Sequence, residues 1–289
     1  MPAPDITRFA PSPTGDLHLG HALAAFTAHD AARATGGRFL VRMEDLDRVR
    51  CTSAFERSIL ADLAWLGLVG DDPVLRQSER LPVYRAALDP LAARGLLYPC
   101  FCTRGGIARE IASMAGAPQG PDGPLYPGTC RQLTPAGRAA RLAAGDNPAL
   151  RLDVAAALRA LGDTPLSFVE SGRGPAGETG VIPVQPAALG DIVLARKDTG
   201  VSYHLAVVVD DAAQGISLVT RGEDLFAATH VQRLLQALLG LPVPRYRHHA
   251  LVRDPTGRRL AKRDRDETLA ALRAAGLTPA GIRQRLGLG

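Results

Sequence analysis

The chain has 289 residues, of which 46% are hydrophobic, and a formal net charge of +5 at pH 7. This length exceeds that of a usual single domain, so we expect one large domain interrupted by an insertion. No apolar run approaches the roughly 20 residues of a membrane span, and the first residues lack the features of a signal peptide, which predicts a soluble, cytoplasmic protein. The modest positive charge fits a polyanionic partner but is also common in proteins that bind no nucleic acid.

The first part of the chain alternates strand and helix patterns. A strand is predicted at residues 7–10, a helix at 22–34 and a second strand at Arg38–Met43, which together form a βαβ unit. Apolar residues at helical spacing predict two further helices, at residues 53–66, with the first residue as N-cap, and at residues 81–94.

The composition changes between residues 98 and 188, where Gly and Pro are frequent, and we interpret this stretch as an inserted module. Periodicity then returns with a strand at 192–197, a hairpin turn at 198–200, a β-branched strand at 203–209 and a helix at 224–239. We therefore divide the chain into a split domain of residues 1–97 and 189–240, the module of residues 98–188, and a C-terminal segment of residues 241–289 with a short helical part.

The alternation of strands and helices predicts an α/β fold with a doubly wound parallel sheet of the Rossmann type. In such a sheet, ligands bind at the carboxyl ends of the strands. Glu44 follows one predicted strand, and Asp210 and Asp211 follow another. We therefore expect these acids to face a ligand, and the two aspartates to orient a ribose or a magnesium ion.

Two distant segments together predict an ATP site. The first, Pro11-Ser12-Pro13-Thr14-Gly15-Asp16-Leu17-His18-Leu19-Gly20-His21, joins a strand to a helix, so helix N–H groups and both imidazoles can face phosphate. Gly20 leaves room for an adenine ring. The second, Arg259-Leu260-Ala261-Lys262-Arg263, holds one of only two lysines among 34 basic residues. The alternatives are a glycine-containing turn with surface histidines and a solvated basic face.

These segments resemble the HIGH and KMSKS motifs of class I aminoacyl-tRNA synthetases, with Arg259 and Ala261 as departures from the second motif. Three further segments, in this order and spacing, resemble glutamyl-tRNA synthetases: Arg8-Phe9-Ala10-Pro11-Ser12-Pro13-Thr14-Gly15, Arg42-Met43-Glu44-Asp45-Leu46-Asp47 and Arg221-Gly222-Glu223-Asp224-Leu225. The chain ends 27 residues after Lys262, where a glutamyl-tRNA synthetase continues into an anticodon-binding domain. A core without that domain is similar to the glutamyl-queuosine tRNA(Asp) synthetases.

The resemblance implies a HUP-like catalytic domain that activates L-glutamate with ATP and Mg²⁺ and transfers it to queuosine at the wobble position of tRNA(Asp). Glutamate has two carboxylates and one ammonium, so its pocket needs guanidinium groups and an acid. The residues implied for glutamate are Arg8, Phe9, Ala10, Pro11, Ser12, Glu44, Tyr203 and Arg221. Those implied for ATP are His18, Gly20, His21 and Lys262, of which the histidines and the lysine are catalytic.

In that assignment Arg8 and the region of Ser12 take the glutamate side chain, Glu44 takes the amino group, and Tyr203 and Arg221 complete the pocket. Lys262 is the cation for the leaving pyrophosphate, because catalysis of adenylate formation is mainly positioning and electrostatic stabilisation. For an isolated Arg or Glu, the alternative is a structural salt bridge.

Three cysteines, Cys100, Cys102 and Cys130, supply three thiolates, which is one ligand fewer than the four of a tetrahedral zinc site. The zinc module of the glutamyl-queuosine family resembles this arrangement, with a Tyr four residues before the last Cys, which implies Tyr126 as the fourth ligand of one structural zinc ion. Tyrosinate is a rare zinc ligand, so Asp122 is a competing candidate. Three buried free thiols are the alternative without a metal.

Arginines supply the charge that we expect to meet tRNA phosphates, although solvated helix faces explain any one of them equally well. They are Arg104, Arg109, Arg131, Arg138 and Arg141 in the module and Arg258, Arg259, Arg263 and Arg265 near the C-terminus.

We expect a monomer. One alternative passes the glutamyl group to the 3′ end of tRNA(Glu), a small molecule or a protein amine. Another is a non-catalytic paralogue that binds tRNA or glutamate, which predicts a damaged site. The five residues that it would be expected to lose are all present: His18, Gly20, Glu44, Arg221 and Lys262.

Overall fold

The computed structural model describes residues 3–114, 119–120, 123–252 and 268–288 of the chain. The strands in these residues are β1 (Ile6–Phe9), β2 (Arg38–Met43), β3 (Leu75–Arg76), β4 (Leu97–Cys100), β5 (Gln119–Gly120), β6 (Gly123–Pro124), β7 (Ala149–Leu152), β8 (Ser167–Glu170), β9 (Gly180–Pro183), β10 (Ile192–Ala195), β11 (Leu218–Gly222) and β12 (Arg245–His249). The helices are α1 (Leu19–Ala34), α2 (Ser53–Trp65), α3 (Leu81–Ala93), α4 (Arg104–Ser113), α5 (Pro135–Ala143), α6 (Val154–Leu161), α7 (Tyr203–Ala213), α8 (Phe226–Leu239), α9 (Leu269–Ala274) and α10 (Pro279–Arg285). None of these helices is both long enough and apolar enough to cross a membrane.

Two groups of parallel strands meet edge to edge at β1 and β11. On one side β2 pairs with β1 and β3, and on the other β12 pairs with β11 and β8. Ser217 N donates to Ile6 O (3.0 Å) and Ile6 N donates to Ser217 Oγ (2.9 Å), which joins the two groups. The order β3-β2-β1-β11-β12 changes direction between β1 and β11, and ligands of α/β sheets bind at such a switch point. The predicted α/β fold with parallel sheets is confirmed.

Helix α1 connects β1 to β2, as the βαβ pattern predicts, but it begins at Leu19 and not at Ala22. Its start is fixed by a capping box, in which His18 Nδ1 accepts from Gly20 N while His21 Nδ1 accepts from His18 N. Apart from Phe26, its buried face consists of alanines, so the helix packs closely on the sheet.

The predicted helices at residues 53–66, 81–94 and 224–239 are confirmed as α2, α3 and α8, with ends within two residues of those predicted. The N-cap of α2 is Thr52 rather than Ser53, because the Thr52 hydroxyl accepts from Phe55 N at 3.2 Å.

The predicted strand at residues 203–209 is wrong, because this stretch forms helix α7. The helix begins after Ser202, whose hydroxyl accepts from Leu205 N (3.4 Å) as N-cap. The run Val207-Val208-Val209 has the composition of a strand, but every residue from 205 to 211 is buried. A continuous apolar run does not distinguish a buried strand from a buried helix. The two aspartates that follow this run therefore lie on a helix.

The predicted hairpin through residues 198–200 is wrong for the same reason, since no strand follows it in the described chain before β11. Strand β10 pairs instead with β7, antiparallel, with Ile192 opposite Leu152. Strand β4 pairs with the other edge of β7. This three-stranded sheet shares an apolar core with α7 and α8 that includes Leu152, Leu194 and Leu234.

The C-terminal helices α9 and α10 pack against the beginning of the chain. Leu269 N donates to Leu17 O (2.8 Å), and Thr268 forms an isolated antiparallel bridge with His18. Three buried residues of these helices join the core of α1 and α2: Leu269, Leu272 and Ile282. The described chain therefore resumes next to the N-cap of α1.

Candidate active site

A cleft of about 560 Å³ opens at the carboxyl ends of β1 and β11, where the strand order changes direction. Every residue predicted for glutamate lines it: Arg8, Phe9, Ala10, Pro11, Ser12, Glu44, Tyr203 and Arg221. The predicted ATP residues His18, Gly20 and His21 line it as well. The fold thus brings together residues that are as far apart in sequence as β1 and β11.

Arg8 lies on β1, with its guanidinium buried and held by α7 and β11. Its Nε donates to Asp211 Oδ1 (3.0 Å) and its Nη1 to Thr220 O (3.2 Å). Asp211 Oδ1 also accepts from Arg42 Nη1 (2.8 Å), so one buried carboxylate serves two buried guanidiniums. Burial disfavours the charged carboxylate, but Arg8 and Arg42 outweigh it and lower the pKa of Asp211. Asp211 is therefore ionised at neutral pH.

Asp210, the preceding residue on α7, is also engaged within the protein. Its carboxylate accepts from Gln77 Nε2 (2.9 Å), Arg80 Nε (2.8 Å) and the Tyr84 hydroxyl (2.7 Å). Neither Asp210 nor Asp211 is among the residues that line the cleft. The prediction that these aspartates orient a ribose or magnesium is therefore wrong, and their role is to join α7 to its neighbours.

Glu44 directly follows β2 and adds an acid beside these guanidiniums. Its side chain is 12% exposed, and its Oε1 lies 3.7 Å from Arg42 Nη2. Burial raises the pKa of Glu44 to about 7, although Arg42 and Arg8 oppose this effect. A cation in the cleft would favour the ionised carboxylate. Glu44 is therefore suited to pair with an ammonium group.

Arg221 lies on β11, on the other side of the switch point, and each nitrogen of its guanidinium donates to a partner. Nε donates to His248 Nε2 (3.1 Å), Nη1 to Gln232 Oε1 (2.8 Å) and Nη2 to Thr229 Oγ1 (2.6 Å). Each Nη carries a second N–H. These uncharged partners fix the guanidinium while its positive charge and its remaining donors can serve a ligand.

His18 and His21 lie at the N-terminus of α1, with ring centroids 3.9 Å apart. Nδ1 of His18 accepts from Gly20 N (3.1 Å), and Nδ1 of His21 accepts from His18 N (3.2 Å). A neutral imidazole that accepts at Nδ1 carries its proton on Nε2. Both rings are therefore set to donate from Nε2 beside the positive end of a helix, which suits phosphate. A Cβ at Gly20 would lie 3.0 Å from the His18 ring, so glycine keeps this ring in place as well as lining the cleft.

The predicted catalytic Lys262 lies outside the described residues, as do Arg258, Arg259, Arg263 and Arg265. The described residues that precede this segment line the cleft, and the first described residue after it pairs with a residue that does. Leu251 and Val252 line it on one side of the segment, and Thr268 bridges to His18 on the other.

The three cysteines predicted as metal ligands lie together at the end of β4, whose last residue is Cys100. Their sulfur atoms are within 4.8 Å of one another, and those of Cys102 and Cys130 are 3.4 Å apart. The Tyr126 hydroxyl lies 3.5 Å from the sulfurs of both Cys100 and Cys102 and accepts from Cys130 N at 2.9 Å. Zn–S bonds of about 2.3 Å place tetrahedral ligand atoms roughly 3.8 Å apart. The four side chains therefore have nearly the spacing of a zinc donor set, while the competing Asp122 lies outside the described residues.

Three of the module arginines predicted to meet tRNA are held within the protein. Arg131 pairs with Asp191 (2.9 Å), Arg141 pairs with Asp146 (2.7 Å), and Arg138 donates to the carbonyl of residue 131 (2.8 Å). The remaining two, Arg104 and Arg109, lie on α4. Because Arg131 and Arg141 are paired with carboxylates, the charge that these five arginines offer to a polyanion is smaller than their number indicates.

A family model described as the catalytic domain of class I tRNA synthetases (E and Q) matches residues 6–288. A glutamyl-Q tRNA(Asp) synthetase from Rhodobacter capsulatus is 54% identical over 98% of this chain and 100% of its own length. This chain belongs to the glutamyl-Q tRNA(Asp) synthetase family of class I tRNA synthetases. Another relative of that name, from Symbiobacterium thermophilum, is 45% identical over 94% of this chain and 82% of its own length.

Solved class I synthetases have the same fold. A glutamate tRNA ligase from Elizabethkingia meningosepticum, in complex with its amino acid, matches with a TM-score of 0.72 and 26% identity over 90% of this chain. A glutamate-tRNA synthetase from Elizabethkingia anophelis matches with a TM-score of 0.74 and 27% identity over 90% of this chain. This glutamyl-Q family member spans 52% and 53% of those two chains.

The family motifs contain most of the residues that line the cleft but not the residues that hold Arg8 and Arg221 in place. Sequence reasoning missed Asp211 as the partner of Arg8, and it missed His248, Thr229 and Gln232 as partners of Arg221. Thr229 and Gln232 carried a usable signal, because they are polar and about one helical turn apart on a buried face of α8 whose other residues, apart from Gln236, are apolar.

Proposed function

We propose that this protein activates L-glutamate with ATP and transfers the glutamyl group to queuosine in tRNA(Asp). The observation that carries the proposal is the meeting in one cleft of Arg8, Arg221 and Glu44 with His18 and His21. Two guanidiniums and one acid complement the charges of glutamate, and imidazoles at a helix N-terminus complement phosphate. The name of the relatives, glutamyl-Q tRNA(Asp) synthetase, supports the acceptor.

In the proposed complex, Arg8 and the neighbouring segment up to Ser12 bind the side-chain carboxylate of glutamate. Glu44 pairs with the ammonium, and Tyr203 and Arg221 complete the pocket around the α-carboxylate. Support for this assignment comes from the burial of both arginines, because a guanidinium fixed in a dry site binds a carboxylate more strongly and more directionally than one in water.

In adenylate formation, an oxygen of the α-carboxylate attacks the α-phosphorus of ATP, and the bond to pyrophosphate breaks. The protein positions the two reactants and stabilises the negative charge that grows on the leaving group. His18 and His21 are assigned to the phosphates through their Nε2–H groups, with Gly20 beside the nucleotide. Lys262 is assigned to the leaving pyrophosphate, and the positions of Val252 in the cleft lining and of Thr268 beside His18 support this assignment.

We also propose one structural zinc ion bound by Cys100, Cys102, Tyr126 and Cys130. Bound there, zinc would act as a structural link between the end of β4 and the segment before α5. The guanidinium of Arg151 lies 3.8 Å from the centre of the Tyr126 ring, and this contact holds the ring beside the three sulfur atoms. The proposed module of residues 98–188 would then present its surface to tRNA. Metal analysis of the purified protein and of a Cys130→Ser variant tests this site, and equal zinc content in both would remove the cluster as the ligand set.

The experiment that tests the function is transfer of labelled glutamate, with ATP and magnesium, to two pools of tRNA(Asp) that differ only in queuosine. We expect label only in the queuosine-containing pool. Equal label in both pools would contradict queuosine as the acceptor. Label on tRNA(Glu) in a parallel reaction would instead favour charging of the tRNA 3′ end, which the likeness to glutamate-tRNA ligases makes the second candidate. If ATP undergoes no glutamate-dependent reaction with either pool or with tRNA(Glu), the proposal that the protein is an enzyme is contradicted.

A further inference from the structure

A buried chain of hydrogen bonds runs from Glu170 on β8 through His248 on β12 to Arg221 on β11. Glu170 Oε2 and His248 Nδ1 are 2.5 Å apart, and Arg221 Nε donates to His248 Nε2 at 3.1 Å. The side chains of Glu170 and His248 are completely buried. Neither residue belongs to the family motifs or lines the cleft. The proposed function therefore assigns no role to Glu170 and His248.

The direction of each hydrogen bond follows from the chemistry of the end groups. A guanidinium only donates, so His248 Nε2 must accept and carries no proton. The single N–H of the neutral imidazole is therefore on Nδ1 and is donated to Glu170. Glu170 is itself fixed, because its Oε1 accepts from Gly172 N (2.7 Å) and His248 N (3.0 Å).

We propose that Glu170 and His248 are positioning residues that hold Arg221 in the orientation that binds the glutamate carboxylate. This inference rests on the proposed function, which assigns Arg221 to glutamate. The arrangement uses a carboxylate to fix the tautomer and the ring orientation of a histidine, as carboxylates do for histidines that bind metals.

The imidazole between Glu170 and Arg221 has an electrostatic consequence. A carboxylate in direct contact with Arg221 would neutralise much of the guanidinium charge, as Asp211 does for Arg8 and Arg42. A neutral acceptor fixes the direction of Nε and leaves that charge for the substrate. Thr229 and Gln232, the partners of the two Nη groups, are uncharged as well, so these three hydrogen-bond partners of Arg221 follow the same rule.

The surroundings of His248 keep its ring neutral. Burial lowers the pKa of His248, the charges of Arg221 and His249 act in the same direction, and Glu170 opposes them. The ring also stacks on Tyr246 at 6.2 Å between centroids and packs on the edge of Phe226 at 5.1 Å. The ring contacts hold the acceptor nitrogen in place, while burial and the neighbouring charges keep it unprotonated.

Two substitutions at His248 separate positioning from packing. His248→Asn keeps an amide near Nδ1 that can donate to Glu170, but it removes the acceptor of Arg221 Nε. His248→Gln is longer and places an amide oxygen near the former Nε2, which restores that acceptor. The measurement is glutamate-dependent ATP–pyrophosphate exchange, with and without tRNA(Asp), with kcat and the KM for glutamate and for ATP determined separately.

The matched control is His230→Asn. His230 packs on Phe226 (5.9 Å) as His248 does (5.1 Å), but its Nδ1 accepts from Gln185 N (3.1 Å) and it is not one of the guanidinium's partners. A loss of packing in this aromatic cluster affects both variants, whereas a loss of orientation of Arg221 affects only the variant at position 248.

We expect His248→Asn to raise the KM for glutamate on the order of tenfold, with the KM for ATP nearly unchanged, because one hydrogen bond to a charged group is lost. His248→Gln should recover most of this loss, and His230→Asn should resemble the wild type. Should His248→Asn not fold, Glu170→Gln replaces it, with a several-fold rise in the KM for glutamate expected because the imidazole tautomer is no longer fixed.

Three outcomes would overturn the inference. An unchanged KM for glutamate in His248→Asn or its replacement shows that Arg221 needs no positioning. Equal rises in the KM for glutamate and for ATP, without recovery in His248→Gln, show a packing role. Absence of glutamate-dependent exchange in the wild type overturns the proposed function itself, so the two failures are distinguishable.

Discussion

The two arginines of the cleft are buried to nearly the same extent, but the protein holds them in opposite ways. Arg8 is 5% exposed and Arg221 6% exposed. Arg8 donates its Nε to the ionised carboxylate of Asp211, which also binds Arg42. Arg221 donates its Nε to the neutral ring of His248. The charge of Arg8 is therefore balanced by a carboxylate before any ligand binds, whereas Arg221 is held in place by uncharged partners.

This difference separates two tasks within one pocket. Loss of the carboxylate of Asp211 leaves the buried guanidinium of Arg8 without its ion-pair partner and that of Arg42 with only Glu44, at 3.7 Å, which is a cost to folding. Loss of a neutral partner beside Arg221 changes the direction of the guanidinium but not the balance of charge. We therefore expect changes on the Arg8 side to act mainly on stability and changes on the Arg221 side to act mainly on the affinity for glutamate.

The largest effect is expected from Asp211→Asn, which removes the shared carboxylate. Breaking a buried ion pair on one side costs about 3–5 kcal/mol of unfolding free energy. Urea unfolding measures this loss. The matched control is Asp198→Asn, because Asp198 pairs with Arg196 at 2.7 Å but its side chain is 61% exposed, so we expect a loss of at most about 1 kcal/mol. Equal losses of unfolding free energy in the two variants would contradict a special role of the buried carboxylate of Asp211 in stability.

Arg221→Lys is expected to have the next largest effect, and on activity rather than on folding. Lysine keeps the charge but cannot donate to His248, Gln232 and Thr229 and to a carboxylate together. We expect kcat/KM for glutamate in pyrophosphate exchange to fall about 100-fold. Arg233→Lys on the same helix as Thr229 is the control, because Arg233 donates to Ser167 O (2.9 Å) on an exposed face. Wild-type activity in Arg221→Lys would exclude the guanidinium from glutamate binding.

Much of the first βαβ unit and of the cleft lining could be predicted from the sequence, because periodicity locates β1, α1 and β2 and the motifs lie at their ends. Helix α7 could not. Its run Val207-Val208-Val209 favours a strand, and a helix buried on all sides has no polar face that would reveal a period of 3.6 residues. Because of this error, the prediction places Asp210 and Asp211 at the end of a strand, although they lie on a helix.

The partners of Arg8 and Arg221 could not be predicted from a single sequence, for a different reason. Arg8 and Asp211 are 203 residues apart in the chain, and Glu170 and His248 are 78 residues apart. Such contacts depend on the order of strands in the sheet, and strand order is not encoded in local periodicity. An isolated buried acid or histidine in the sequence therefore gives no indication of its partner.

Glu44→Gln should stabilise the protein above neutral pH while it weakens glutamate binding. The pKa of Glu44 is raised from 4.5 to about 7 in the folded protein, mainly by burial. Between these values the unfolded chain has released a proton that the folded state retains, so stability falls as the pH rises through this window. Glutamine does not ionise, and the variant should therefore gain about 3 kcal/mol over the wild type above pH 7.

Urea unfolding of both proteins at about pH 5 and about pH 8 checks this sign. A stability difference that does not change with pH would contradict the raised pKa. In pyrophosphate exchange the same variant should show a higher KM for glutamate, because a neutral amide cannot pair with the ammonium as a carboxylate does. A gain in stability together with a loss of affinity would show that Glu44 is kept for the ligand and not for the fold.

The smallest effect is expected from Thr229→Val, which removes one neutral partner of Arg221 and keeps the shape of a buried side chain. The hydroxyl accepts from Arg221 Nη2 at 2.6 Å, and its loss should raise the KM for glutamate about fivefold, as about 1 kcal/mol predicts. Thr229→Ser retains the hydroxyl and should stay near the wild type, although it loses a methyl group. If the Val and Ser variants have the same KM, the hydroxyl of Thr229 does not position Arg221, and the contrast with Arg8 rests on the contacts of Arg221 with His248 and Gln232.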